Sequence, residues 1–396
     1  MLFSFLSYPF DFFNFVVMKF PQTLSLKLEN RKMNGSLMNL PSFNNVIDFS
    51  SNDYLGFSKS EIIFKQTHAY LLENEILQNG ATGSRLISGN HSLFQITENK
   101  IAVFHDVEAA LIFNSDYDAN IGFFSVVPQE NDVILYDELC HASIKDGILL
   151  SKAKSNSYIH NDFEDLELLI SRFEKNTTIY IVTETVFSTD GDSPNLEELV
   201  RLSEKHNCYL ILDESHSLGV FGEAGEGLSQ YMQLHSKIFA RIMTFGKSLG
   251  CQGAAVLGSV ELKEYLINFA NSFVYATALS PHSVATILRA YQHLELDKES
   301  IQKLRQNIVF FNQQKNLLGL KPIFVHSKSA IHSAIVPGNE KVKQLSQKLK
   351  DKGFDVQTIL SPNVPEGQER LRFCIHSYNS EQEINQVLEL VRDFVF

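Results

Sequence analysis

Cysteine is scarce in this chain: four residues, Cys140, Cys208, Cys251 and Cys374, scattered without a CxxC pair. That spacing excludes a disulfide frame or a paired-thiolate zinc site, and fits reduced, partly buried thiols in a cytoplasmic protein. Positive charge is also short. Lys and Arg total 34 against 46 Asp and Glu, a formal net charge of -12, which argues against a nucleic acid or an anionic membrane as partner. A long apolar run is missing too. The nearest, residues 2–17, is rich in Phe, Leu and Val but is interrupted by Pro9, Asp11 and Asn14. It falls short of the roughly 20 residues a spanning helix needs. Its first base, Lys19, follows the apolar stretch, and no small-residue cleavage site comes after, so it does not read as a signal peptide. We expect Met18 to be the natural start and residues 1–17 an upstream in-frame extension; a real anchoring segment is the other reading. With no internal repeat and no low-complexity linker, the domains are expected to pack closely.

The 396 residues that are present, 44% hydrophobic and 20% charged, can build a large core and two domains. An amphipathic helix is expected over Thr23–Leu40, ended by Pro41, then a strand at Val46–Phe49. Short apolar runs follow at Ala109–Phe113, Asp132–Asp137, Thr178–Thr183, Tyr209–Asp213, Ile242–Phe245 and Ala254–Leu257. Helical spacing recurs at Leu93–Phe104, Ile121–Val127, Asp165–Phe173, Leu196–His206 and Glu261–Ala270. This alternation predicts an α/β domain around a doubly wound, mainly parallel sheet with both faces covered. Beyond Pro281 the texture changes to a long helix over Val284–Leu318, strands at Ala330–Val336, Phe354–Val356 and Arg370–Ile375, and helices at Val342–Lys352 and Glu381–Val391. These predict a smaller α+β domain. The expected division is an N-terminal segment (1–50), a large domain (51–283) and a small domain (284–396).

Two stretches carry the chemistry. Tyr209–His216 and Ile242–Lys247 each begin as an apolar run and end in reactive residues. Ligands of open α/β sheets sit at the carboxyl ends of strands, so Asp213, His216 and Lys247 should face one crevice. A Lys for a Schiff base, an Asp for a pyridinium nitrogen and a His near the ring suggest pyridoxal phosphate (PLP). The small-polar turn Asn114–Asn120, between a strand and a helix, offers a phosphate site from free N–H groups and the helix dipole. His141 follows the end of another strand. Blander readings exist for each residue alone. Asp213 could be a structural cap and Lys247 a surface charge. His141 could be a satisfied core or surface residue, and the glycine-rich stretch Asn79–Gly89 a surface loop. Arg370 and Arg372 could alternate on a solvated strand face.

Taken together, several segments resemble the α-oxoamine synthases in residue and order: Asn52–Gly56, Gly83–Arg85, Asp137–Ser143, Thr183–Asp192, Asp213–Gly219 and Thr244–Lys247. The resemblance covers nearly everything after about residue 25. It implies PLP-dependent transferase fold type I, aspartate aminotransferase-like, in a homodimer with shared active sites. By matching position, Lys247 would hold PLP and move protons at the substrate α-carbon. Asp213 would pair the ring nitrogen, His216 and Ser188 would meet the ring hydroxyl, and His141 would stack on the ring. Thr244, with Asp116 and Tyr117 in the turn before the helix, would meet the phosphate, joined by Thr277 from the partner subunit. Asn52 and Arg372 would hold the amino acid, and Arg31 matches a further substrate-side arginine. The implied substrates are an amino acid and an acyl-CoA, L-alanine and pimeloyl-CoA for the biotin-pathway branch, with glycine and serine users as alternatives within the family. A catalytically silent partner subunit and a membrane-associated scaffold are the readings from other classes. One departure stands out: Asp116 occupies a position that is usually Gly. Less hydroxyl around Tyr275–Thr277, and Ser at 215 and 217, are others.

Overall fold

The computed structural model describes residues 19–38, 40 and 46–395. The reading placed on residues 1–17 lies outside the described residues. The chain divides into two compact units, Met1–Asn44 and Asn45–Phe396.

The first unit contains the helix Gln22–Met33, shorter than expected and without an amphipathic face: none of its residues is buried, and Leu24, Leu26 and Leu28 are exposed. The physical reason is in the spacing. Those leucines recur every second residue, whereas one helix face repeats every 3.6.

In the second unit the strands are β1 (Ile47–Asp48), β2 (Ala109–Phe113), β3 (Val133–Asp137), β4 (Lys154–Tyr158), β5 (Ile179–Glu184), β6 (Tyr209–Asp213), β7 (Ala240–Thr244), β8 (Ala254–Gly258), β9 (Ile331–Ile335), β10 (Phe354–Asp355), β11 (Gln357–Ile359) and β12 (Arg370–Cys374). Seven of them form the main sheet in the order β2-β8-β7-β6-β5-β3-β4. All neighbours pair in parallel except β8, which is antiparallel to both β2 and β7. The central strands read as unbroken apolar runs because successive side chains enter opposite cores. Ile211 packs with Phe123, Ile144 and Ile242 on one side. Leu210 and Leu212 pack with Leu166, Leu199 and Val200 on the other. This is the mainly parallel, doubly covered sheet that the alternation predicts.

A second sheet, β11-β12-β9, is antiparallel. The apolar stretch at Phe354–Val356 splits: β10 pairs in parallel with β1, and the chain continues into β11 on the second sheet. The expected long helix is two helices, Pro281–Leu296 and Lys298–Leu317. Asp297 divides them. Its backbone N–H still donates to His293 O at 2.9 Å, while its side chain accepts the Ser300 N–H at 2.9 Å and so starts a new helix.

Three elements carried too weak a periodic signal to be anticipated. The helix Glu61–Glu73 buries only Ile63, Thr67 and Leu71. The helix Ala142–Leu150 begins inside a polar motif. Strand β4 is polar, and every residue but Tyr158 is exposed, as suits the edge of a sheet. No helix among the described residues is long and apolar enough to cross a membrane.

Candidate active site

Parallel register aligns the carboxyl ends of three central strands. Glu184 at the end of β5 pairs with Asp213 at the end of β6, and Asp213 pairs with Ile242 on β7. Beyond β7 the chain turns back into β8 through a hairpin, closed by Phe245 N–H donating to Gly253 O at 2.9 Å. Lys247 sits on that hairpin. The glycines after it have a steric role: Gly250 is left-handed, φ +60°, and a Cβ there would collide with the backbone of Phe57 and Ser58. Asp213, His216 and Lys247 thus lie at or just beyond the carboxyl ends of two adjacent strands, along one edge of the sheet.

The electrostatics of this edge are dominated by burial. Burial lowers the Lys247 ammonium below its ordinary range, against the opposing pull of Asp213, Asp116 and Glu184, with Arg372 adding to the lowering. Burial likewise drives His216 well below 6.5, reinforced by Lys247, Arg372 and His141, so its imidazole is neutral. Burial and then Asp213 push Glu184 up to about 8, while Lys247 and the N–H groups of His141 and Ser188 pull the other way. Charges of both signs therefore meet at Lys247.

Two hydrogen-bonded chains organise the site. In the first, Asn120 Nδ2 donates to Asp213 Oδ2 at 3.2 Å and to Ser143 Oγ at 3.0 Å, and Ser143 Oγ lies 2.7 Å from His141 Nδ1. The His141 N–H donates to Glu184 Oε1 at 2.7 Å, and Ser215 N–H donates to Asp213 Oδ1 at 2.9 Å. In the second, His216 Nδ1 lies 2.7 Å from the Tyr54 hydroxyl, which donates to Asn52 Oδ1 at 3.2 Å. Arg372 Nη2 donates to the same Asn52 oxygen at 3.0 Å and its Nε donates to Ser188 O at 2.6 Å. Arg372 Nη1 faces Cys374 Sγ at 3.0 Å. Arg370 pairs with Asp190. Both arginines are buried, so the solvated-face reading of β12 is wrong. Residues i and i+2 do share a face, but here that face packs on the loop after β5.

At the other end, Ser115 caps the helix Asp116–Phe124, its Oγ accepting the Asp118 N–H at 3.0 Å. The helix therefore starts earlier than its apolar run. Asp116 is its first residue, with no left-handed backbone, and Asp116 Oδ1 accepts the Tyr117 N–H at 2.8 Å. Thr244 is buried at the end of β7, and its Oγ1 accepts the Gly246 N–H at 3.4 Å. Tyr117 is exposed and its hydroxyl donates to Asp146. Thr277 is exposed, with its carbonyl taking Asn114 Nδ2 at 2.7 Å. Arg31 belongs to the first unit, where its Nη1 donates to Ser36 O at 3.4 Å. In the glycine-rich stretch, Arg85 is taken up structurally: it pairs with Glu98 and lies 4.0 Å over the Phe94 ring.

Sequence reasoning gave no individual role to Glu184, Tyr54, Asn120 or Ser143. All four fall inside segments that were singled out, but their contacts cross between elements and leave no local signature. His160, outside those segments, was not anticipated either; it lies 2.9 Å from Asp137 and 2.8 Å from Asp192 and packs edge-on against Phe187.

Comparison with known proteins gives the family. The chain belongs to the class I and II aminotransferase family, which matches residues 44–391. Within it, the chain is a PLP-dependent acyltransferase of the α-oxoamine synthase type. It is 36% identical over 386 residues to the 8-amino-7-oxononanoate synthase of Emericella nidulans, covering 92% of both chains. Among solved structures it is similar to 8-amino-7-oxononanoate synthase from Francisella tularensis, with TM-score 0.75 and 30% identity over 88% of this chain and 98% of that one. It is also similar to serine palmitoyltransferase from Sphingomonas wittichii, with TM-score 0.85 and 25% identity over 93% and 96%. The residues at the sheet edge fit the cofactor. An amine on the hairpin after β7, a buried carboxylate at the end of β6, a buried threonine hydroxyl and a helix N-terminus form the donor and acceptor set that PLP needs. Asn120 Oδ1 and Ser215 Oγ, beside that carboxylate, are buried without a partner among the described residues.

Proposed function

We propose that the chain condenses L-alanine with a pimeloyl thioester, releasing CoA and CO2, to make 8-amino-7-oxononanoate for biotin synthesis. Lys247 on the hairpin beside Asp213 is the observation that carries the chemistry; the names of the relatives support the choice of substrates.

When bound, PLP supplies an electron sink for the bond-breaking electrons at the amino acid α-carbon. Lys247 would anchor it and take the α-proton, a task suited to an amine whose burial favours the neutral form. Asp213, oriented by Asn120 and the Ser215 N–H, would pair the ring nitrogen and keep its proton in place. His141 would stack on the ring, and His216 and Ser188 would meet its hydroxyl. Thr244 and the helix start at Asp116 and Tyr117 would hold the phosphate. Arg372, fixed by Ser188 O and Asn52, grips the substrate carboxylate, because a planar fork recognises two oxygens at once. Thr277 would act on the phosphate held by a partner subunit in a homodimer. In substrate terms, the α-carbon forms a bond to the thioester carbonyl and the carbon–sulfur bond breaks. The carboxylate then leaves as CO2, and a proton takes its place.

The test is a rate panel with purified protein: alanine, glycine and serine, each against acetyl-, pimeloyl- and palmitoyl-CoA. Alanine with pimeloyl-CoA should be the preferred pair. Preference for serine with palmitoyl-CoA, or glycine with acetyl-CoA, would reassign the substrate within the same chemistry. Inactivity with every pair would remove the reading.

A further inference from the structure

Outside the active site, the helix Lys298–Leu317 and the segment that follows it enclose a cavity of about 560 Å³. That is within the size range of small-molecule sites. Its lining is basic: Lys315, Lys321, His326 and Lys328 contribute, and among the described residues no Asp or Glu does. In a chain with 46 acidic residues against 34 Lys and Arg, an acid-free wall with three lysines is a local reversal of charge.

Lys315 makes the case specific. It is 4% exposed, yet it lines the cavity. Its ammonium has three N–H donors, and among the described residues the one oxygen bonded to it is Asn312 Oδ1 at 2.8 Å. The Phe324 ring lies 5.2 Å away, and no carboxylate pairs with it among the described residues. A buried cation without a counter-charge is costly unless something else supplies one. Burial, then the charge of Lys321, lower Lys315 to about 8, so it still carries most of its charge at neutral pH.

We propose that this cavity binds a phosphate-bearing small molecule, with Lys315 at its floor and Lys321, His326 and Lys328 at its mouth. The basic set contains no arginine. Lysine meets a tetrahedral anion as a compact point charge, whereas planar carboxylates favour the arginine fork. Phe324 and Val325 give the rest of such a molecule an apolar wall.

The probe is pyrophosphate, titrated by calorimetry into PLP-saturated enzyme at low salt, so that the cofactor's own phosphate site is filled. Saturable binding is expected, weakened about tenfold or more in Lys315→Met, which keeps the length and removes the charge. The exposed Lys328→Gln should weaken it about threefold, and it serves alone if Lys315→Met does not fold. Turnover without the probe should match wild type in both variants. Three results would overturn the proposal: no saturable heat, unchanged affinity in the variants (binding elsewhere, such as where an acyl-CoA sits), or succinate binding as tightly as pyrophosphate.

Discussion

At the scale of single residues, Lys247 and Asp213 should separate anchoring from electron withdrawal. Lys247→Ala should lose the borohydride-reducible visible absorbance of the PLP-loaded protein. Asp213→Asn should keep the fold, because the side chains are nearly isosteric and the Asn120 contact can re-form. Its turnover should fall on the order of a hundredfold or more, since a neutral amide no longer stabilises the ring proton. Near-normal turnover would assign the ring nitrogen to another residue, and Glu184 is the nearest candidate. Asp116 tests a competition. Its carboxylate takes the Tyr117 N–H and would sit near a phosphate dianion, a repulsion of roughly 7 kcal/mol at about 5 Å with an effective dielectric of about 20. Against that, an acidic residue in the first turn favours the helix by about 0.5 kcal/mol. The repulsion is larger, so Asp116→Gly should bind PLP more tightly, by about tenfold per 1.4 kcal/mol recovered. Because Asp116 is helical and not left-handed, backbone strain plays no part, and the gain should fade at high salt. A PLP titration of variant and wild type at two salt concentrations decides it.

At the scale of elements, His160 clamps the end of β3 to the loop after β5. Burial works against its charge, but hydrogen bonds to Asp137 and Asp192 outweigh that and push His160 up to about 10. A raised folded pKa means that the folded protein holds a proton the unfolded chain has released. The stabilisation is therefore complete below about 6.5 and disappears as pH rises toward about 10. Allowing for partial exposure of the imidazole, about 3 kcal/mol is at stake. Urea unfolding of wild type should show stability falling across that window. In His160→Gln the window should flatten, with the loss already present at pH 6. An unchanged slope in the variant would place the pH dependence elsewhere.

At the scale of the whole molecule, the second sheet docks on the main sheet through one loop. Arg372 donates to Ser188 O at 2.6 Å, Ser333 to Thr189 O at 2.5 Å, and Ser327 and Ser329 each to Gly191 O at 2.8 Å. Arg370 pairs with Asp190 in the same loop. Gly191 makes the close approach possible: its φ is +74°, and a Cβ there would collide with the Ile331 carbonyl. Gly191→Ala should therefore cost about 2–4 kcal/mol in urea unfolding. It should also raise the KM for the amino acid, since the same loop holds Arg372. Loss of stability with an unchanged KM would mean that the loop docks the sheets without positioning the arginine.

The sequence by itself determined the main sheet and the chemical ends of its strands. Buried parallel strands must be short and apolar, and functional residues at their carboxyl ends break that pattern abruptly, as at Asp213 and Lys247. It also determined the family, through motifs whose order no fold rule alone would produce. Tertiary structure decided what depends on contacts between distant residues. Strand β4 exists because β3 offers it an edge, not because Lys154–Tyr158 favours a strand. The helices on either side of Asp297 are separate because a side chain there caps the second. Arg370 and Arg372 are buried because the loop after β5 covers them, and period-two spacing says only that they share a face. Tyr54, Asn120 and Glu184 join the site's network, and His160 joins β3 to the loop after β5, through hydrogen bonds between elements. Such bonds depend on where the chain returns in space, which local sequence does not encode.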